Sequence, residues 1–192
     1  MNFTRKNNKF KIILALGITL LMILTLTKTI ISKNANTSEY FIEFMDLYNS
    51  KNIDKANKYI LDYKIPDISE LFSTVLTRTS ENYHTEILLL IENIINSINY
   101  EIISSKTFLN KSTLNIKFSY YDVGKHIIDF LKNNADTQNT YENLILSLKN
   151  TNCKLYTNLD IKMVKKNNQW QIIMSEKLLN ILTSGLYKNF VI

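Results

Sequence analysis

Residues that staple or punctuate a fold are scarce in this chain. Its one cysteine, Cys153, cannot form an intramolecular disulfide, so an apolar core must hold the fold. No cysteine lies near the N-terminus, which excludes the usual lipoprotein form. There is one proline, Pro66, and there are three glycines in 192 residues. Glycine-rich phosphate motifs have no counterpart here. Heavy use of Asn, Ile and Lys with so little Gly and Pro is the composition of an AT-rich genome. Of the two histidines, His84 has no second His or carboxylate at ligand spacing and gives no metal signal. Cys153 starts a strand with no His nearby in sequence, which suits a buried thiol.

Acids are missing from residues 1–33, where Arg5, Lys6, Lys9, Lys11, Lys28 and Lys33 stand. Six of the 23 Lys and Arg residues are therefore placed there. The remainder carries 17 bases against all 17 acids. The formal charge of +6 belongs to the N-terminal segment and leaves a neutral domain, which removes the warrant for a nucleic-acid partner. Residues Ile12 to Thr27 carry no charge. A membrane crossing needs about 20 helical residues. Snorkelling of Lys28 extends the usable run to Ser32. The reading is a basic cytoplasmic tip (1–11), a transmembrane signal anchor (12–32), a linker (33–37) and an extracytoplasmic α+β domain (38–192). Basic residues before the span keep the N-terminus inside the cytoplasmic membrane. A cleaved secretory signal shares this pattern, but a small-x-small cleavage site is missing.

Helical spacing of Tyr40, Phe41, Phe44, Met45 and Tyr48 predicts a first helix opened by Ser38. Further helices are expected at Ile53–Leu61, from Asp67 through Leu76, and at Glu81–Ile98. Strands are expected at Tyr100–Leu109 and Thr113–Asp122 about a turn at Asn110-Lys111. Leu114, Ile116, Phe118 and Tyr120 alternate with polar residues, the period of a half-buried strand. Helical segments at Lys125–Lys132 and Thr140–Lys149 lead to a second hairpin. Its strands, Leu155–Met163 and Gln169–Met174, flank the turn Lys165–Asn168. A last helix is expected at Glu176–Tyr187. This order predicts antiparallel strands with helices packed on one face.

Tyr120-Tyr-Asp-Val-Gly-Lys125 leading into a helix, and Met163-Val-Lys-Lys-Asn-Asn-Gln-Trp-Gln-Ile172, resemble nuclear transport factor 2-like domains of the cystatin-like cone fold. The likeness is to membrane-anchored extracytoplasmic versions of unknown function from Gram-positive bacteria, and covers about Ser38 to Tyr187. It implies a cone-type domain: a curved antiparallel sheet of two hairpins packed on helices, with a pocket between. It carries no single function.

The pocket candidates are Tyr120, Asp122, His126 and Trp170. Asp122 and His126 are four apart where a strand meets a helix, the spacing of a base and its orienter. Asp122 is better read as a helix cap, and Trp170 as core on the apolar face of its strand. Lys117, Lys162 and Lys165 form an outward row on a solvated sheet face. No catalytic residue, metal ligand or cofactor is assigned. The leading expectation is a non-enzymatic binding or interaction domain tethered to the membrane, with an envelope protein or cell-wall partner. The alternatives are a scaffold subunit of an envelope transport or conjugation machine, whose Asn-Pro-x-Gly signature is absent, and a small-ligand or enzymatic pocket.

Overall fold

The structure, a computed structural model, describes residues 19, 22, 37–68, 71, 81–134, 140–151 and 154–190. Helix α1 covers 37–49. A short helix α2 (Ile53–Ala56) and a single 3-10 turn (Asn57–Tyr59) lead into strand β1 (Ile60–Leu61). Helix α3 (Glu81–Ile95) precedes the hairpin β2 (Asn99–Phe108) and β3 (Lys111–Tyr120). Helices α4 (Val123–Asn134) and α5 (Thr140–Lys149) follow. The second hairpin is β4 (Leu155–Lys166) and β5 (Gln169–Ile173), and helices α6 (Glu176–Leu182) and α7 (Leu186–Phe190) close the described chain.

The five strands form one sheet in the order β1-β5-β4-β3-β2. β3 is an inner strand between β4 and β2, and its period-2 pattern decides which face is dry. Leu114, Ile116 and Phe118 are fully buried, and Tyr120 nearly so. The opposite face of the sheet is polar: Asn115 donates from Nδ2 to Asp160 Oδ1 at 2.7 Å, and Lys117 lies 5.8 Å over the exposed Tyr156 ring. Helix α1 lies on the dry face. Phe41 meets Tyr100 edge-on at 5.6 Å and Phe118 at 6.4 Å. Helix α3 adds Ile87, Ile91 and Ile95 at helical spacing to the same core. Burying Phe, Leu or Ile contributes roughly 1.5–3 kcal/mol each, so this shared core carries the stability that disulfides do not.

The expected architecture is corrected in two respects. The sheet is mixed, not antiparallel: β1 runs parallel to β5, pairing Ile60 with Ile172 and Leu61 with Ile173. That pairing ends the expected helix at Ala56, because Ile60 and Leu61 satisfy a free sheet edge that local periodicity cannot reveal. The second correction concerns the transmembrane helix. Among the described residues no helix is long and apolar enough to cross a membrane. The expected span at 12–32 falls outside the described residues except for Thr19 and Met22, both helical and exposed. In sequence, its charge-free run is 16 residues, ended by Lys28, against the roughly 20 that a crossing needs.

Smaller boundaries also move. The first hairpin turns at Leu109-Asn110, with Leu109 at φ +52°. The last expected helix breaks at 183–185, where Ser184 and Gly185 both take positive φ. Two of the chain's three glycines meet there. A Cβ on Gly124 would fall 2.3 Å from the Gly185 oxygen, and one on Gly185 would fall 1.8 Å from Asp122 Oδ1. The start of α4 thus touches the α6–α7 turn backbone to backbone, joined by a hydrogen bond from Gly124 N to Ser184 O at 3.1 Å.

Candidate functional site

The first helix ends where the chain must reverse. Tyr48, on its last turn, is buried, and its hydroxyl donates to the carbonyl oxygen of Leu182. With its ring enclosed, the Tyr48 hydroxyl is pushed above the ordinary tyrosine range by burial. Lys51 then takes φ +61° and turns the chain into α2. Its ammonium pairs with Glu92 on α3, which fixes the turn against that helix. Asn57 accepts a hydrogen bond from Ile65 N at 2.8 Å and so holds the segment after β1 in place.

Between these parts lies a half-open cleft of about 620 Å³. Ile53, Ile65, Pro66, Ile68 and Ile95 supply its apolar lining. Asn52, Asn57 and Asn96 add amides, and Lys51, Lys64, Asp54, Asp67 and Glu92 add charge. A second cavity of about 520 Å³ shares Asp54, Asn57 and Lys64 with it and adds Lys58, Asp62 and Tyr63. The two make one groove. Burial, then a hydrogen bond to Tyr187, pushes the Tyr63 hydroxyl up to about 12. Burial, then Glu43, does the same for Tyr59, also to about 12. Both phenols therefore stay neutral donors at any physiological pH. An apolar floor with a few convergent amides and charges is the general make-up of a binding cleft.

None of the four residues expected in a pocket, Tyr120, Asp122, His126 and Trp170, lines these two cavities. Asp122 caps α4: its Oδ1 accepts from Lys125 N at 2.9 Å. His126 turns to α5, where Nε2 lies 2.7 Å from Ser147 Oγ, and its ring is 5.6 Å from Tyr121. Partial burial lowers the His126 pKa, opposed by the charge of Asp129. Tyr120 ends β3 with its hydroxyl raised by burial and then by Asp122. Trp170 is buried on β5, across from Lys165, whose ammonium sits 6.0 Å over the ring. Asp122, Tyr120 and His126 thus gather at one end of β3, each in a separate contact, while Trp170 packs into the core. Among the described residues no three His, Cys, Asp or Glu side chains converge as a metal site. Cys153, Arg5, Lys6, Lys9, Lys11 and Lys28 lie outside the described residues.

Sequence reading missed Lys51, Asn57 and Lys64. The available signals were the polar break Asn49-Ser-Lys-Asn52 and the interruption at Pro66, which mark two loops but not that the loops adjoin. Compared with protein-family models, curated proteins and solved structures, the chain finds no match in any of the three.

Proposed function

We propose that this chain is a non-enzymatic extracytoplasmic binding domain, held at the cytoplasmic membrane by its N-terminal segment, with an envelope protein or cell-wall component as partner. The observation that carries the binding role is the groove beside Lys51, Asn57 and Lys64. Its two adjoining cavities share Asp54, Asn57 and Lys64, and its lining mixes an apolar floor with amides and paired charge. The membrane location rests on sequence alone: a charge-free run preceded by basic residues. The same reading takes the domain as similar to the cone-type nuclear transport factor 2-like domains. Its support is two hairpins in one sheet with α1 across the dry face.

The groove is tested by site-specific photocrosslinking in cells from position 54, at its rim, with position 158 on the polar sheet face as control. A partner trapped from 54 and not from 158, and lost on Lys64→Glu, is the expected result. Equal or background labelling at both positions removes the groove as the binding site.

A further inference from the structure

One end of the sheet differs in chemistry from the rest of a neutral domain. β3 and β4 are antiparallel, with Lys111 opposite Val164, so both hairpin turns lie at the same end. A hydrogen bond from Lys165 N to Asn110 O, 2.8 Å, ties the turns together. At the tip of the first hairpin Phe108 is 78% exposed and Leu109 is 68% exposed. They are the adjacent pair most exposed among the large apolar side chains of the described residues. Four lysines flank the two turns: Lys106 and Lys111 on the first hairpin, Lys165 and Lys166 on the second. Neither 104–113 nor 161–175 contains an acid.

The point where the N-terminal segment joins the domain is at this same end. Thr37 Oγ1 lies 3.2 Å from Ser105 Oγ, three residues before the exposed Phe108, and 3.3 Å from Ser112 Oγ, next to Lys111. Four chain steps separate Thr37 from Lys33, a reach of roughly 14 Å at most. The charge-free run ends at Thr27, six residues before Lys33. Glu39, on the first turn of α1, is the nearest acid in sequence to that junction.

We propose that this end of the sheet docks on a lipid surface bearing anionic headgroups. Phe108 and Leu109 enter the interfacial layer, and Lys106, Lys111, Lys165 and Lys166 hold the headgroup phosphates. Basic charge around an apolar tip is the pairing that binds an anionic bilayer reversibly. A short connection to the apolar run keeps the tip within reach of that surface. The proposal deepens the membrane location given above and rests on it in part. It also orients the domain. Tyr48 lines the groove eleven residues along α1 from Thr37, about 16 Å away along the helix axis.

The test uses the full chain carrying Phe108→Trp, with wild type as control, since its single Trp170 is buried. Vesicles of brominated phosphatidylcholine, with or without phosphatidylglycerol, are mixed with protein and floated. Expected is tryptophan quenching well above wild type in the phosphatidylglycerol vesicles. Tip engagement should weaken about fivefold for each lysine changed to Gln. Flotation without extra quenching on either lipid leaves the tether standing and overturns the docking tip. Flotation only on phosphatidylglycerol, with the tip quenched, supports the tip and overturns the tether. No flotation overturns both. A tip reporter that blue-shifts with protein concentration in the absence of lipid assigns this end to a second copy instead, and also overturns the proposal.

Discussion

At the residue scale the most constrained positions sit where α4 meets the α6–α7 turn. Gly185 has φ +82° and leaves no room for a Cβ beside the Asp122 carboxylate. Gly185→Ala must strain the backbone and displace the cap together, so a loss of roughly 2–4 kcal/mol in urea unfolding is expected. Asp122→Ala removes the cap alone and should cost about 1 kcal/mol. Ser184 is the opposite case. It takes φ +48° without being glycine, and its buried hydroxyl has no hydrogen-bond partner. Ser184→Gly relieves both defects and should raise the urea midpoint, by roughly 1 kcal/mol of stability. Tyr48→Phe leaves the Leu182 carbonyl without its donor, an expected loss of about 1–2 kcal/mol. His126 supplies a pH dependence. Its folded pKa lies below the unfolded value, so the unfolded chain binds the proton more readily. The resulting stability is complete above the unfolded pKa and declines as pH falls through the folded one. The urea midpoint should therefore drop as pH falls below about 6.5, the ordinary histidine value, and His126→Gln should flatten that drop.

Elements obey their local patterns wherever one face is dry. β3 alternates as its sequence says, and α1 buries Phe41, Phe44, Met45 and Tyr48. Departures occur where an element's end is set by a neighbour. The stretch read as a helix to Leu61 yields to β1, because Ile60 and Leu61 complete the β5 edge. β1 has only two residues, so Ile60→Pro should unpair it and open the groove wall at Asp62–Ile65. Faster amide hydrogen exchange at Ile172 and Ile173, with protection kept in β3, is the expected signature. β2 is the other edge of the sheet and carries a register shift between Ile102 and Ser104. Such a bulge twists an edge away from a partner strand and so guards a ten-residue edge without proline.

For the whole molecule, charge is balanced in sum and uneven in space. The domain is neutral by count, yet its hairpin turns place lysines from two distant segments at one end, while the groove with its mixed charges lies at the far end of α1. Late tyrosine ionisation should report the intact fold. Of eleven tyrosines, Tyr48, Tyr59 and Tyr63 should titrate after the rest in an absorbance titration, and unfolding should merge the phases. Sequence alone determined much of this protein. It gave the α+β class, the two hairpins, the buried face of β3 and the confinement of excess charge to residues 1–33, because period and composition are properties of neighbours in the chain. It also marked Asp122 as a cap, a contact that spans three residues. Only the tertiary structure decided the parallel β1, the turn of His126 toward Ser147, the groove and the lysine-ringed tip. Each of these joins segments far apart in sequence. Lys51 meets Glu92 across 41 positions and Tyr48 meets Leu182 across 134. No local pattern encodes such pairings, because packing of the shared core chooses which distant segments become neighbours.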